Sequence, residues 1–184
     1  KYLSGTKCIK EFLYDWTEED GYMLFDMDKE KLLREKGKTM TLGRHERFLG
    51  DKLFIPESGQ KIMAAICFEK MYSAYGLLVG TCDSIENLKY VCALLNSKLI
   101  SFYCIEKEIL RKGNKATPHV GVRGLNSLPI FSNPSSKKEL VSIVDKILES
   151  GDISTYKSEI DKLIYSMYNI SDSQIEIINE YFLN

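Results

Sequence analysis

Two short stretches of this 184-residue chain gather side chains suited to a negatively charged, hydrogen-bonding surface. In "KTMTLGRHERFLG", Gly43 and Gly50 flank Arg44, His45 and Arg47. In "RKGNKATPHVGVRG", the candidates are Lys112, Asn114, Lys115, Thr117, His119 and Arg123. Arginine offers a planar fork of donors, asparagine a donor–acceptor pair, and lysine and threonine single contacts. Such a set reads base edges and grips phosphates. A solvated face carries similar charges, so residue type alone leaves both readings open.

The formal net charge of −1 hides an asymmetry. Residues 1–131 hold 20 Lys/Arg against 17 Asp/Glu, or +3, whereas residues 132–184 hold 5 against 9, or −4. Residues 29–52 carry 8 basic and 4 acidic side chains, and residues 107–123 carry five basic ones against Glu108 alone, so each stretch is +4. An acidic tail therefore masks a basic body. Phosphates would repel that tail, which is expected to dock on the body or on a preceding domain.

Catalytic chemistry finds no comparable grouping. No two glycines stand as G-x-G, no Pro-Pro or Pro-Cys pair occurs, and no lysine has Asp or Glu two residues before it. The glycine loop of a nucleotide-type cofactor and the carboxylate–lysine pair of a metal-dependent nuclease are thus missing. Five cysteines without C-x-x-C spacing read as reduced core residues, and two histidines give no metal set. No apolar run approaches the roughly 18 residues of a membrane span. Lys1 is followed by no leader-like segment, so the chain is read as a piece of a longer, cytoplasmic protein.

The elements that must hold the two stretches are legible as periods. "FLYDWTEEDGYMLF" has the form of a hairpin about "EEDG" with Trp16 packed in it, and Pro56, Gly59, Gly76 and Gly80 break the following apolar runs. Residues 1–82 are expected to be mainly β, with an irregular charged excursion near 29–52. From Leu88 through Val91, Cys92, Leu95, Leu99, Phe102 and Tyr103 the spacing becomes helical, with Asp83 and Glu86 as a capping box. One helix over 87–108 follows, burying a Leu88/Leu95/Leu99/Phe102 face. Its other side carries Asn96, Ser97, Lys98 and Ser101, not the usual Glu/Lys pairs. Three helices close the chain. The first is capped at Ser136 with Glu139 and ends at Gly151, the second carries Tyr156, Ile160, Ile164 and Met167, and the third opens at Ser171 with Gln174.

In this order of pieces, with "KYLSGTKCIKEF" as an entry strand, then "LLNSKLISFY", then a basic loop ending in "LNSLPI", then "IDKLIYSMYNIS", the chain resembles the TaqI-like C-terminal specificity domain of type IIG restriction-modification enzymes and related adenine-N6 DNA methyltransferases. The resemblance implies an α+β fold: a β-rich DNA target-recognition body with the spacer helix over 1–131, and a C-terminal helical segment over 132–184. It implies double-stranded DNA as partner and a methyltransferase domain in the same polypeptide. S-adenosylmethionine, and Mg²⁺ if a nuclease is present, would then bind outside this stretch, which holds no catalytic residue. The nine residues above become the DNA-contacting candidates. "TPHVGVRG" departs from the aromatic-rich stretch many members carry before "LPI". Half of a separate specificity subunit, or a non-catalytic protein-interaction module, would share the same element order.

Overall fold

The computed structural model describes residues 1–38, 42–111, 117–131 and 133–183. Its fold is α+β, with 47% helix and 13% strand, so even the N-terminal body is less β than its apolar runs suggest.

The sheet is built on β2 (Lys52–Pro56), which pairs antiparallel with β3 (Ala65–Cys67) on one side and β5 (Leu77–Gly80) on the other. The registers are Leu53↔Ile66 and Ile55↔Leu78. Every residue of β2 is buried, because both faces of the sheet are covered. Leu53, Ile55 and Ile66 face a core shared with the helices, whereas Phe54, Ala65 and Cys67 face a smaller core with Leu3, Cys8, Ile9 and Met71. That alternation is the two-residue period of a strand. The second core is closed by β1 (Tyr2–Leu3), which runs parallel to β4 (Tyr72–Ser73).

The expected hairpin is replaced by a different path. A turn does form, with Asp20 N donating to Thr17 O and Gly21 at φ 83°, but its two arms do not pair. The incoming arm bridges back, Tyr14 to Ile9, and Gly21 O accepts from Tyr2 N. Trp16 packs on the smaller core and against Tyr22. Phe12, fully buried at φ 65°, is held by hydrogen bonds to Ala64 O and from Ile66 N, which sustain a backbone shape rare for a bulky residue. The excursion near 29–52 also proves partly regular. Asp26 caps α1 (Met27–Glu35), with Asp28 and Glu30 in its first turn and a Glu30–Arg34 pair.

The long helix is two helices. α2 (Ile85–Leu95) and α3 (Lys98–Glu106) meet at 64°, because Ser97 takes an extended backbone and its Oγ accepts from Ile100 N as the cap of α3. The cap of α2 is Ser84, not an Asp83/Glu86 box. α5 (Pro134–Ser150) likewise starts earlier than Ser136: Asn133 accepts from Ser135 N and Ser136 N, and Pro134 occupies the first turn. Gly151, left-handed at φ 72°, ends it as expected. α6 (Ile153–Met167) is capped by Asp152, and α7 (Asp172–Tyr181) by the Ser171/Gln174 box. One buried cluster runs from β2 through α2 and α3 into α5, α6 and α7.

The bend explains the unusual polar side of "LLNSKLISFY". Asn96, Ser97 and Ser101 are buried at 2%, 1% and 2% exposure. Asn96 accepts from Ala64 N (3.0 Å) and donates to Ala64 O (2.8 Å), while Ser101 Oγ accepts from Ile62 N (3.2 Å). These side chains complete the backbone of the segment leading into β3, where the N–H groups of Ile62 and Ala64 would otherwise be buried unpaired. Lys98 turns the other way. Its N–H donates to Asp161 Oδ1 (2.9 Å) and its Nζ to Asn179 Oδ1 (2.7 Å), tying α3 to α6 and α7. Lys157 of α6 donates to Asn96 O (2.5 Å) and meets Glu11 (2.7 Å), which also holds Lys61. The joint fastens body, bent helix and tail together.

Candidate nucleic-acid interface

The first basic stretch is anchored from below and open above. His45–Phe48 forms a single 3-10 turn that Arg44 enters in extended conformation. His45 stacks on Phe25 (centroids 4.3 Å apart), and its Nε2 lies 2.9 Å from the Tyr72 hydroxyl. Phe48 leans on the Tyr72 ring, and its carbonyl accepts from Met71 N (3.1 Å). Below the turn, fully buried Lys52 donates to Gly50 O (2.6 Å) and Glu69 O (2.7 Å), which satisfies an ammonium taken out of water. That burial pulls its pKa below the usual lysine value. Arg44 and Arg47 are left exposed, and among the described residues neither has a carboxylate within ion-pair distance. His45 is thus spent largely on positioning its neighbours. Exposed Lys70, over the Tyr72 ring at 5.7 Å, joins this face. Its signal was available in "FEKMY", a cation beside an aromatic.

The second stretch is pinned where Arg111 meets His119. Arg111 and His119 exchange two backbone hydrogen bonds, N–H of each to the carbonyl of the other at 2.9 and 2.8 Å. Lys112, Asn114 and Lys115 lie outside the described residues. On the return, Gly59 N donates to Pro118 O (3.1 Å) and Val120 N to Glu57 O (2.8 Å), so 118–120 lies strand-like beside 57–59. Thr117 and His119 are exposed. Arg123, also exposed, stands on the short α4 (Val122–Leu125). Gly124 lets that helix settle on Ile109, since an added Cβ would meet Ile109 Cγ2 at 2.8 Å.

Both stretches come to β5, one of the two edge strands in the order β3-β2-β5. The 3-10 turn packs against β5. α4 and residues 126–130 line a cavity of about 310 Å³ together with Leu78–Cys82, Val91 and Leu95. The cavity is mainly apolar and presents no general acid or base, and burial and neighbouring Asp83 raise the Cys82 thiol above its ordinary value. Cys104 is pushed up by burial to about 11. A protonated thiol is a weak nucleophile, so these cysteines serve packing. Among the described residues, no group of three or more His, Cys, Asp and Glu is placed to hold a metal, and no single helix is long and apolar enough to cross a membrane.

Three cations of the helical region stand in different surroundings. Lys89 pairs with Asp145, Lys137 with Glu86 (3.5 Å), and Lys157 with Glu11 (2.7 Å). The charge of these three is spent within the chain, whereas Arg44, Arg47 and Arg123, like Lys138 and Lys162 of the tail, are exposed and without an ion-pair partner among the described residues. No curated protein matches the chain significantly. Residues 1–130, which include both basic stretches, match the model of the TaqI-like C-terminal specificity domain.

Proposed function

We infer, from the premise that this chain belongs to the TaqI-like C-terminal specificity domain family, that β5 and the segments on it form the surface that reads DNA. Members of the family are DNA-recognition domains of restriction-modification enzymes. The observation that carries the placement is the convergence of two basic stretches on one edge strand, with Arg44, Arg47 and Arg123 exposed and unpaired among the described residues. Arginine in that state can meet guanine O6 and N7 bidentately or bind phosphate, and Thr117 and His119 add single hydrogen bonds. Lys112, Asn114 and Lys115, in the same sequence stretch, are proposed as its phosphate and base contacts.

The parent enzyme follows as a proposal. A methyltransferase domain in the same polypeptide would bind S-adenosylmethionine and modify adenine N6, with Mg²⁺ needed only if a nuclease is also present. This chain would fix the target site against that domain. A straight spacer is not available for the purpose, since the helix bends at Asn96–Ser97. Positioning would instead pass through the joint that ties β3, α3 and α6. The acidic tail, packed on α2 and α3, belongs on the side away from the duplex.

Equilibrium binding of the chain to duplex DNA at two salt concentrations tests the reading. Phosphate contacts release counterions, so affinity should fall steeply with salt. Binding that is absent, or indifferent to salt, would refute it.

A further inference from the structure

Tyr75 is 99% exposed, yet the turn that carries it is hydrogen-bonded to segments on both sides. Leu77 N donates to Ala74 O (3.4 Å), and Gly76 takes φ 97°, which the third position of a type II turn demands. Ala74 N donates to Leu3 O (2.9 Å), and Glu57 N donates to Gly76 O (2.9 Å). An aromatic ring normally gains by burying 150–250 Å². This one buries almost nothing within the chain.

The turn also lies next to the second basic stretch. Glu57 joins the two: its N–H goes to Gly76 O, and its carbonyl accepts from Val120 N. Three backbone segments, 74–77, 57–59 and 118–120, therefore lie side by side at one end of β2 and β5. Tyr75 and His119 on these segments and Thr117 just before them are exposed, with Arg111 opposite His119 in the bridge. Stacking surface, hydrogen-bond donors and positive charge are combined on a rigid base.

We propose that Tyr75 is a base-contacting residue of the DNA interface, its ring pressed against base edges while Thr117 and His119 bond alongside. The inference rests on the DNA-reading assignment above. It adds a fully exposed aromatic ring, able to meet a thymine methyl or a partly opened base step, where the aromatic of the first basic stretch, Phe48, is packed on Tyr72. Such a contact is sequence-dependent and displaces no counterion, unlike a phosphate contact.

The test uses the full chain and a pool of duplexes with a randomised centre, followed by affinity measurements on the enriched sequence. Tyr75→Ala should weaken binding to that sequence about ten-fold, broaden the selected pool, and leave the salt slope and thermal midpoint unchanged. Tyr75→Phe should bind and select like the parent. If Tyr75→Ala binds and selects like the parent while Arg44→Ala does not, the proposal fails and the DNA-reading assignment stands. A salt slope lowered by both Tyr75 variants would make the hydroxyl a phosphate contact and overturn the ring contact. If the parent chain enriches no duplex, both fall.

Discussion

The joint at Asn96–Ser101 and the basic face along β5 both concentrate polar side chains, and they use them in opposite ways. At the joint, Asn96, Ser97 and Ser101 are buried and hydrogen-bonded to named backbone groups, and Lys157 and Lys61 share Glu11. Along β5, Arg44, Arg47 and Arg123 are exposed and without ion-pair partners among the described residues. A polar group saturated inside the fold can only be architecture, while one left open at the surface is free to meet a ligand. Substitutions at the first region should therefore change stability and spare DNA contacts, and substitutions at the second should do the reverse.

The largest effect is expected from Asn96→Ala. It strips the partner from the N–H of buried Ala64, at about 1–3 kcal/mol for an orphaned group, while the Ala64 carbonyl keeps its bond from Phe12 N. Denaturant unfolding should show a loss of about 2–3 kcal/mol, with the remaining folded protein binding DNA as before. Glu11→Gln should lose about 2 kcal/mol at neutral pH, because Lys157 and Lys61 lose their shared anion. Burial raises the Glu11 pKa, but the two lysines outweigh it and hold the carboxyl below its ordinary value. Its contribution is thus present above the unfolded carboxylate pKa and disappears as pH falls through the lowered folded value. Acid titration of stability should accordingly be shallower in the variant.

Asp161 tests the same region with the opposite sign. Burial raises its pKa, so its charged form is disfavoured in the fold at neutral pH, and that penalty fades on acidification. Asp161→Asn keeps an oxygen for Lys98 N and removes the penalty. The smallest effect is expected here, within about 0.5 kcal/mol of the parent and in the stabilising direction.

What could be read beforehand divides along the same line as the two regions. The apolar period from Leu88 to Phe102 is real, but it runs unbroken across the 64° bend, so it could not reveal the bend. Ser97 capping Ile100 N was the local sign, and it is weak without a Glu three residues on. The turn at 17–20 was legible from composition, but the pairing of Tyr2 with Tyr72 spans the whole body and leaves no local trace. α1 was legible and was hidden by its own charges: acids follow Asp26, and Arg34 and Gly37 end the run. At the interface the basic residues were visible as types. That His45 would stack under Tyr72 while Arg44 and Arg47 stayed open depends on aromatic partners distant in sequence, as does the exposure of Tyr75.

One paired measurement bears most directly on the account: thermal midpoint and affinity for the selected duplex, at two salt concentrations, for the Arg44→Ala/Arg47→Ala variant. The midpoint should match the parent, since neither guanidinium has an ion-pair partner among the described residues. Affinity should fall by about 1–3 kcal/mol for each arginine that reads a guanine, with a relaxed preference there, or the salt slope should drop by about one for each that meets a phosphate. A variant that keeps the parent's affinity, preference and salt slope would contradict the placement of the DNA-reading surface on β5.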